Sequence, residues 1–153
     1  MSNKIVAKFG GSNLKSSSDY HRLTEIIRAY DRPPVVVVSA YFGLTNRILK
    51  VLQKSPFDRE NIEKFIHWLY ALKHNLVSEN ISLDKRQEAM DLLNERIDKF
   101  HKSLTSIHFI GEIPDFLYDQ VLSFGERLNS LLISQMLNDR GFDCEEALPE
   151  KIG

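Results

Sequence analysis

Three short clusters in the sequence bring together residue types that could handle phosphate or a small polar ligand. The first is Lys8-Phe9-Gly10-Gly11-Ser12. Two adjacent glycines let a ligand approach the backbone closely. N–H groups in such a turn can cradle phosphate, and a lysine can neutralise charge developing on it. The spacing matches neither the P-loop nor the dinucleotide fingerprint, and a double glycine after a strand also serves as an ordinary tight turn. The second cluster, Val37-Val38-Ser39-Ala40-Tyr41-Phe42-Gly43-Leu44-Thr45-Asn46, offers the polar side chains of Ser39, Thr45 and Asn46. Thr45-Asn46 equally suits a plain helix N-cap. The third is Ser123-Phe124-Gly125-Glu126-Arg127-Leu128-Asn129-Ser130. Taken by itself, Glu126 at a helix start is best read as compensation of the helix macrodipole.

The elements needed to hold these clusters are legible in the hydrophobic pattern. Lys4 to Phe9 reads as a buried strand stopped by Gly10-Gly11-Ser12-Asn13. Ser16, Ser17, Ser18 and Asp19 offer caps for a helix carrying Leu23, Ile26 and Ile27, which Asp31-Arg32-Pro33-Pro34 ends. Val35-Val36-Val37-Val38 then predicts a strand buried on both faces of a parallel sheet. Strand, helix and strand make a βαβ unit, so the fold class is α/β: a mostly parallel sheet with flanking helices. In open sheets of that kind ligands bind beyond the carboxyl ends of the strands, where the first two clusters fall.

The middle of the chain reads as a long helical hairpin over about residues 60–108. Ile62, Phe65, Ile66, Leu69, Leu72, Leu76 and Val77 form one apolar stripe, and Met90, Leu93, Ile97, Phe100, Leu104 and Ile107 form a second. Asn80-Ile81-Ser82 is the expected link, with Ser82 and Asp84 as caps. His67 and His74 lie on one face and need no metal. A short helix is expected over Asp115 to Leu122, an interruption at Ser123 to Glu126, then a helix from about Arg127 to Arg140 that Gly141 ends. Phe142 to Ala147 is expected to be a third strand.

Composition removes several function classes. The chain has 153 residues, 42% of them hydrophobic, enough for one domain with a real core. Twenty basic and 21 acidic residues give a net charge of -1, which argues against a nucleic-acid binder. A single cysteine, Cys144, fits a reducing compartment. No apolar run is long enough to span a membrane, and Met1-Ser2-Asn3-Lys4 leaves no room for a signal peptide. These point to a cytoplasmic domain with no nucleic-acid or membrane partner.

Together the three clusters are far more specific than any one alone, and in order and spacing they resemble the aspartate kinases of the amino-acid kinase family. That family opens with Lys-Phe-Gly-Gly-Thr/Ser-Ser, matched from Lys8 to Ser12. Its second strand ends in Val-Val-Ser-Ala-x-x-Gly-x-Thr-Asn, matched from Val37 to Asn46, and its Gly-Glu-x-x-x-Ser-type loop is matched from Gly125 to Ser130. Asn13 replaces a usual hydroxyl residue, and Phe42 replaces a usual small one and narrows the entrance. The family's kinase domain is considerably longer, so residues 1–153 are expected to be its N-terminal portion. The nucleotide-binding half and regulatory ACT domains are expected to lie outside it.

What the resemblance implies is transfer of the ATP γ-phosphoryl group to the side-chain carboxylate of L-aspartate. Lys8 would be catalytic and hold the phosphoryl group together with Gly10, Gly11 and Ser12. Ser39 and Thr45 would bind substrate, and Glu126 would pair with the aspartate ammonium. Mg²⁺ would ride on the ATP phosphates with no ligand in this portion, which is expected to be inactive alone and to form a homo-oligomer. The sequence also fits two rival readings: an amino-acid kinase acting on glutamate, acetylglutamate or carbamate, and a catalytically silent fragment that self-associates.

Overall fold

The computed structural model describes residues 4–53 and 58–152. The expectations about Met1, Ser2 and Asn3 and about Gly153 lie outside the described residues. Strands β1 (Val6–Phe9) and β2 (Val35–Val38) pair in parallel, with Ala7 opposite Val36, Lys8 opposite Val37 and Phe9 opposite Val38. Their crossover is α1 (Ser17–Arg28), which buries Tyr20, Leu23, Thr24 and Ile27. Its start is fixed by Asp19, whose carboxylate accepts from the backbone N–H of Lys15 at 2.9 Å and of Ser16 at 3.0 Å. Those donors, Lys15 first, hold the Asp19 carboxyl below the usual carboxylate range.

The four valines do form a strand, but not one buried on both faces. Val36 and Val38 pack with Ala7 and Phe9 against the core, whereas Val6, Val35 and Val37 are 63, 52 and 42% exposed. Lys8 lies on that same open face, because alternation puts it opposite in direction to its neighbour Phe9. Among the described residues nothing covers this side of the sheet. The fold is therefore mixed α/β, mostly helical, with a small parallel sheet.

After β2 come α2 (Leu44–Gln53), then the hairpin of α3 (Arg59–Asn80) and α4 (Arg86–Ile110). The hairpin link is longer than expected, and α4 starts after Lys85 without a side-chain cap from Ser82 or Asp84. Ser82 instead donates its backbone N–H to the Asp139 carboxylate at 2.8 Å. The two stripes meet as the heptad-like spacing requires: Ile62, Leu69, Leu93, Ile97, Leu104 and Ile107 are all at or below 2% exposure. Each such side chain contributes about 1.5–3 kcal/mol of burial energy. His67 and His74 are exposed.

Helices α5 (Asp115–Leu122), α6 (Phe124–Asp139) and α7 (Pro149–Ile152) complete the described chain. The expected interruption at Ser123 to Glu126 shrinks to Ser123 alone, so Gly125 and Glu126 belong to the first turn of α6. Phe124 stacks on Phe100 of α4, ring centroids 3.7 Å apart, which seats that first turn against the hairpin. The expected third strand over Phe142 to Ala147 does not form. That segment is extended with alternate residues half-buried, which is why its pattern reads as a strand, but side chains take its hydrogen bonds. Asn138 donates to the Cys144 carbonyl and accepts its N–H, both at 2.9 Å. Glu146 is bound by Arg96 at 2.7 and 2.9 Å and by Ser130 at 2.5 Å. Among the described residues no helix is long and apolar enough to cross a membrane.

Candidate functional site

The carboxyl ends of β1 and β2 lie side by side, and the loops that leave them are laced together. Ser39 N–H donates to the Phe9 carbonyl at 3.0 Å, extending the ladder by one bond. Phe42 N–H donates to the Leu14 carbonyl at 3.0 Å, and the Tyr41 hydroxyl donates to the Lys15 carbonyl at 2.5 Å. Gly43 takes φ +79°, a conformation that favours glycine, and lets the chain turn sharply into α2. Thr45 is then the second residue of α2 and not its N-cap.

The first turn of α6 closes the site from the other side. Gly125 is what permits it, since a Cβ there would stand 2.7 Å from the Ala40 Cβ. Asn129, one turn further on and 0% exposed, fixes the same contact by hydrogen bonds. Its amide donates to the Ser39 carbonyl at 2.7 Å, and its oxygen accepts from the Tyr20 hydroxyl at 2.7 Å. Burial pushes the Tyr20 phenol well above its ordinary value. One buried amide thus ties α6, α1 and the loop after β2 together.

Between these parts lies a cavity of about 250 Å³ lined by Gly11, Ser12, Ser39, Ala40, Tyr41, Phe42, Gly43, Thr45 and Glu126. Pockets for drug-sized ligands span about 300–1,000 Å³, so this one suits a molecule smaller than those. Five of the seven residues to which the resemblance assigns a role line it: Gly11, Ser12, Ser39, Thr45 and Glu126. Lys8 and Gly10 do not. Lys8 is exposed on the open face of the sheet, and Gly10 caps the short 3₁₀ turn Gly11–Asn13. Phe42, 55% exposed, forms part of the mouth.

One oxygen stands out chemically. Glu126 Oε2 is buried and has no hydrogen-bond partner. Macrodipole compensation needs only proximity to the helix start, and an exposed carboxylate would provide it. A buried carboxylate oxygen without a donor carries an uncompensated desolvation cost of roughly 1–3 kcal/mol or more. A donor brought by a ligand would relieve it. Among the described residues, no group of three or more His, Cys, Asp or Glu could hold a metal ion. The described residues therefore offer Mg²⁺ no binding cage.

Sequence reasoning missed three contributors. Asn129 lies within a quoted cluster, but its partners are 90 and 109 residues away. Tyr41 stands at a variable position of the second cluster and Lys15 outside all three, and only the folded loops bring them together.

Comparison with known proteins gives a consistent picture. The model of the amino acid kinase family matches residues 3–153. Aspartokinase 2, chloroplastic, of Arabidopsis thaliana is 30% identical over 97% of this chain and 27% of its own length. Bifunctional aspartokinase/homoserine dehydrogenase 2 of Escherichia coli is also 30% identical, over 88% of this chain and 16% of its own. Escherichia coli aspartokinase III, solved in complex with aspartate and ADP, superposes with a TM-score of 0.76 at 18% identity. That match covers 94% of this chain and 30% of the solved one, and it shows the shared fold. The chain spans less than a third of the length of each of these proteins.

Proposed function

The chain belongs to the amino acid kinase family, and from that premise we propose that it is the amino-acid-binding portion of an aspartate kinase. The observation that carries this reading is the buried, unpartnered Glu126 Oε2 in a small pocket with Ser12, Ser39 and Thr45. An ammonium group is the ligand donor that such an oxygen lacks, and the attraction is strongest in a desolvated pocket.

In this reading Glu126 takes the ammonium of L-aspartate, and the hydroxyls of Ser39 and Thr45 hold its polar atoms. The side-chain carboxylate points to the Gly10-Gly11-Ser12 turn, where the γ-phosphoryl group of ATP arrives. A carboxylate oxygen bonds to the γ-phosphorus as the bond from that phosphorus to the β–γ bridging oxygen breaks, and ADP leaves with the electron pair. The nucleophile is already ionised at neutral pH, so no general base is required. Catalysis is then positioning and charge stabilisation. Lys8, one residue before Phe9 and exposed on the open side of the sheet, is assigned to the phosphoryl group. This assignment supposes that the nucleotide approaches from that side, carried by a part of the enzyme beyond these residues. Mg²⁺ would accompany the nucleotide's phosphates, and no step here is routed through it.

The test is a titration of the ¹⁵N-labelled chain with L-aspartate. The expected result is a set of saturable amide shifts clustered at Gly11, Ser12, Ser39, Gly43 and Thr45, lost in Glu126→Gln. Shifts scattered over the surface, or unchanged by that variant, would contradict the assignment.

A further inference from the structure

Residues 109–118 leave a group of large apolar side chains uncovered. Helix α4 is anchored near its end by Ile107, which is buried, but its last two residues, Phe109 and Ile110, are exposed, Phe109 at 77%. Gly111, at φ +80°, ends that helix, and α5 starts after Pro114. Leu117 and Val121 hold α5 against the core, while Phe116, 75% exposed, and Tyr118 remain open. A short helix that is apolar on more than one face is normally covered on each of them. Clustered exposed apolar side chains, unlike scattered ones, mark an interaction surface. The charge around this patch is one-sided. No Lys or Arg occurs between Lys102 and Arg127, whereas Glu112, Asp115 and Asp119 are all exposed. Asp115 compensates the start of α5. Glu112 follows the negative end of α4 and Asp119 lies within α5, so the helix dipoles account for neither. Among the described residues none of the three acids takes part in an ion pair.

We propose that this patch is a docking surface for a separate protein, which seats on it an apolar segment bordered by Lys or Arg. Charge decides the occupant. A second copy of this chain, meeting the patch with its own equivalent, would set Glu112, Asp115 and Asp119 against themselves, and like charges facing across an interface are unfavourable. The same three acids repel anionic lipid headgroups. A segment with a basic border gains on both counts. Phe109 and Phe116 supply the aromatic area in which interface energy concentrates, and the acids steer the encounter and fix the register. None of these side chains lines the pocket at the ends of β1 and β2. The part of the enzyme that carries the nucleotide is assigned above to the open side of the sheet at Lys8, whereas α5 packs on α2, α4 and α6. The patch is thereby left to another chain.

The test uses two labelled amphipathic peptides of one apolar pattern, one built from leucine and lysine and the other from leucine and glutamate. Each is titrated with the intact chain and followed by fluorescence anisotropy. The leucine–lysine peptide is expected to bind saturably and to weaken as salt rises, and the leucine–glutamate peptide is expected not to bind. Amide shifts of the ¹⁵N-labelled chain are expected to cluster at residues 109–118. Phe109→Ser combined with Phe116→Ser is expected to weaken the complex at least about tenfold and to leave the melting temperature unchanged, since both side chains are exposed. Glu112→Gln combined with Asp119→Asn is expected to flatten the salt dependence without touching the apolar contact. No saturable binding of the leucine–lysine peptide, equal binding of both peptides, or shifts centred elsewhere would overturn the proposal. So would a dimer in sedimentation, or binding to phosphatidylserine vesicles, that the double Phe variant abolishes, because the occupant is then a second copy or a membrane.

Discussion

Gly125 and Ala40 are packed so closely that a Cβ on the glycine would lie 2.7 Å from that of the alanine. The contact explains why a glycine stands in the first turn of α6 where a better helix former would otherwise suit. Replacing it with alanine would gain up to about 1 kcal/mol of helix propensity. The same methyl group must displace α6 or the Ala40 loop, at a cost of about 1–3 kcal/mol for overpacking. The clash is the larger effect, because both atoms are fixed directly to backbone. Gly125→Ala is therefore expected to lower the urea midpoint and to weaken aspartate binding. A variant as stable as the parent would show that the two elements are free to separate.

Asn129 joins the Tyr20 hydroxyl to the Ser39 carbonyl, and both of its bonds are 2.7 Å. Asn129→Ala leaves buried groups unsatisfied at both ends, for an expected loss of about 2–4 kcal/mol; Tyr20→Phe removes one bond and is expected to lose about 1–2. Thermal unfolding of both variants checks the ranking. Equal losses would mean that the bond to Ser39 contributes little.

Lys73 sits in the apolar stripe of α3, 1% exposed, with no partner for its Nζ. Burial pushes its ammonium down to about 7 from an ordinary 10.5. The folded pKa is depressed, so between these values the unfolded chain binds a proton that the native chain does not. Stability from this group therefore rises with pH across that window, by at most about 1.4 kcal/mol per pH unit. Below about pH 7 both states are protonated and the dependence flattens. Lys73→Met is expected to stabilise the chain at pH 7 by roughly 1–3 kcal/mol. Its stability advantage should shrink as pH rises towards 10.5. Urea midpoints of the pair at pH 7 and pH 9.5 test this; an advantage that does not change with pH would contradict it.

How far the sequence reaches can be judged residue by residue. Periodicity located β1, β2 and the hairpin, because burial repeats every two residues in a strand and every three to four in a helix. It failed at Phe142 to Ala147, where an extended segment has the same alternation but takes its hydrogen bonds from Asn138 and not from a neighbouring strand. It also mistook four valines for a doubly covered strand, since the residue type does not say whether a second layer exists. Lys73 was invisible, being a charged residue in an apolar stripe. With Phe9 inward, alternation already requires Lys8 to point the other way, outside the pocket that Ser39, Thr45 and Glu126 share. The motifs identified Glu126, but only the fold reveals that its Oε2 is buried without a partner.

The central claim is that Glu126 binds a substrate ammonium, and calorimetric titration with L-aspartate and with succinate tests it most directly. Succinate keeps both carboxylates and lacks only the ammonium. A charge-assisted hydrogen bond contributes about 1.5–3 kcal/mol, which corresponds to roughly a 10- to 100-fold difference in Kd. The expected result is that the intact chain prefers aspartate by that factor and that Glu126→Gln loses most of the preference. Equal affinity for the two ligands in the intact chain, or an undiminished preference in Glu126→Gln, would contradict it.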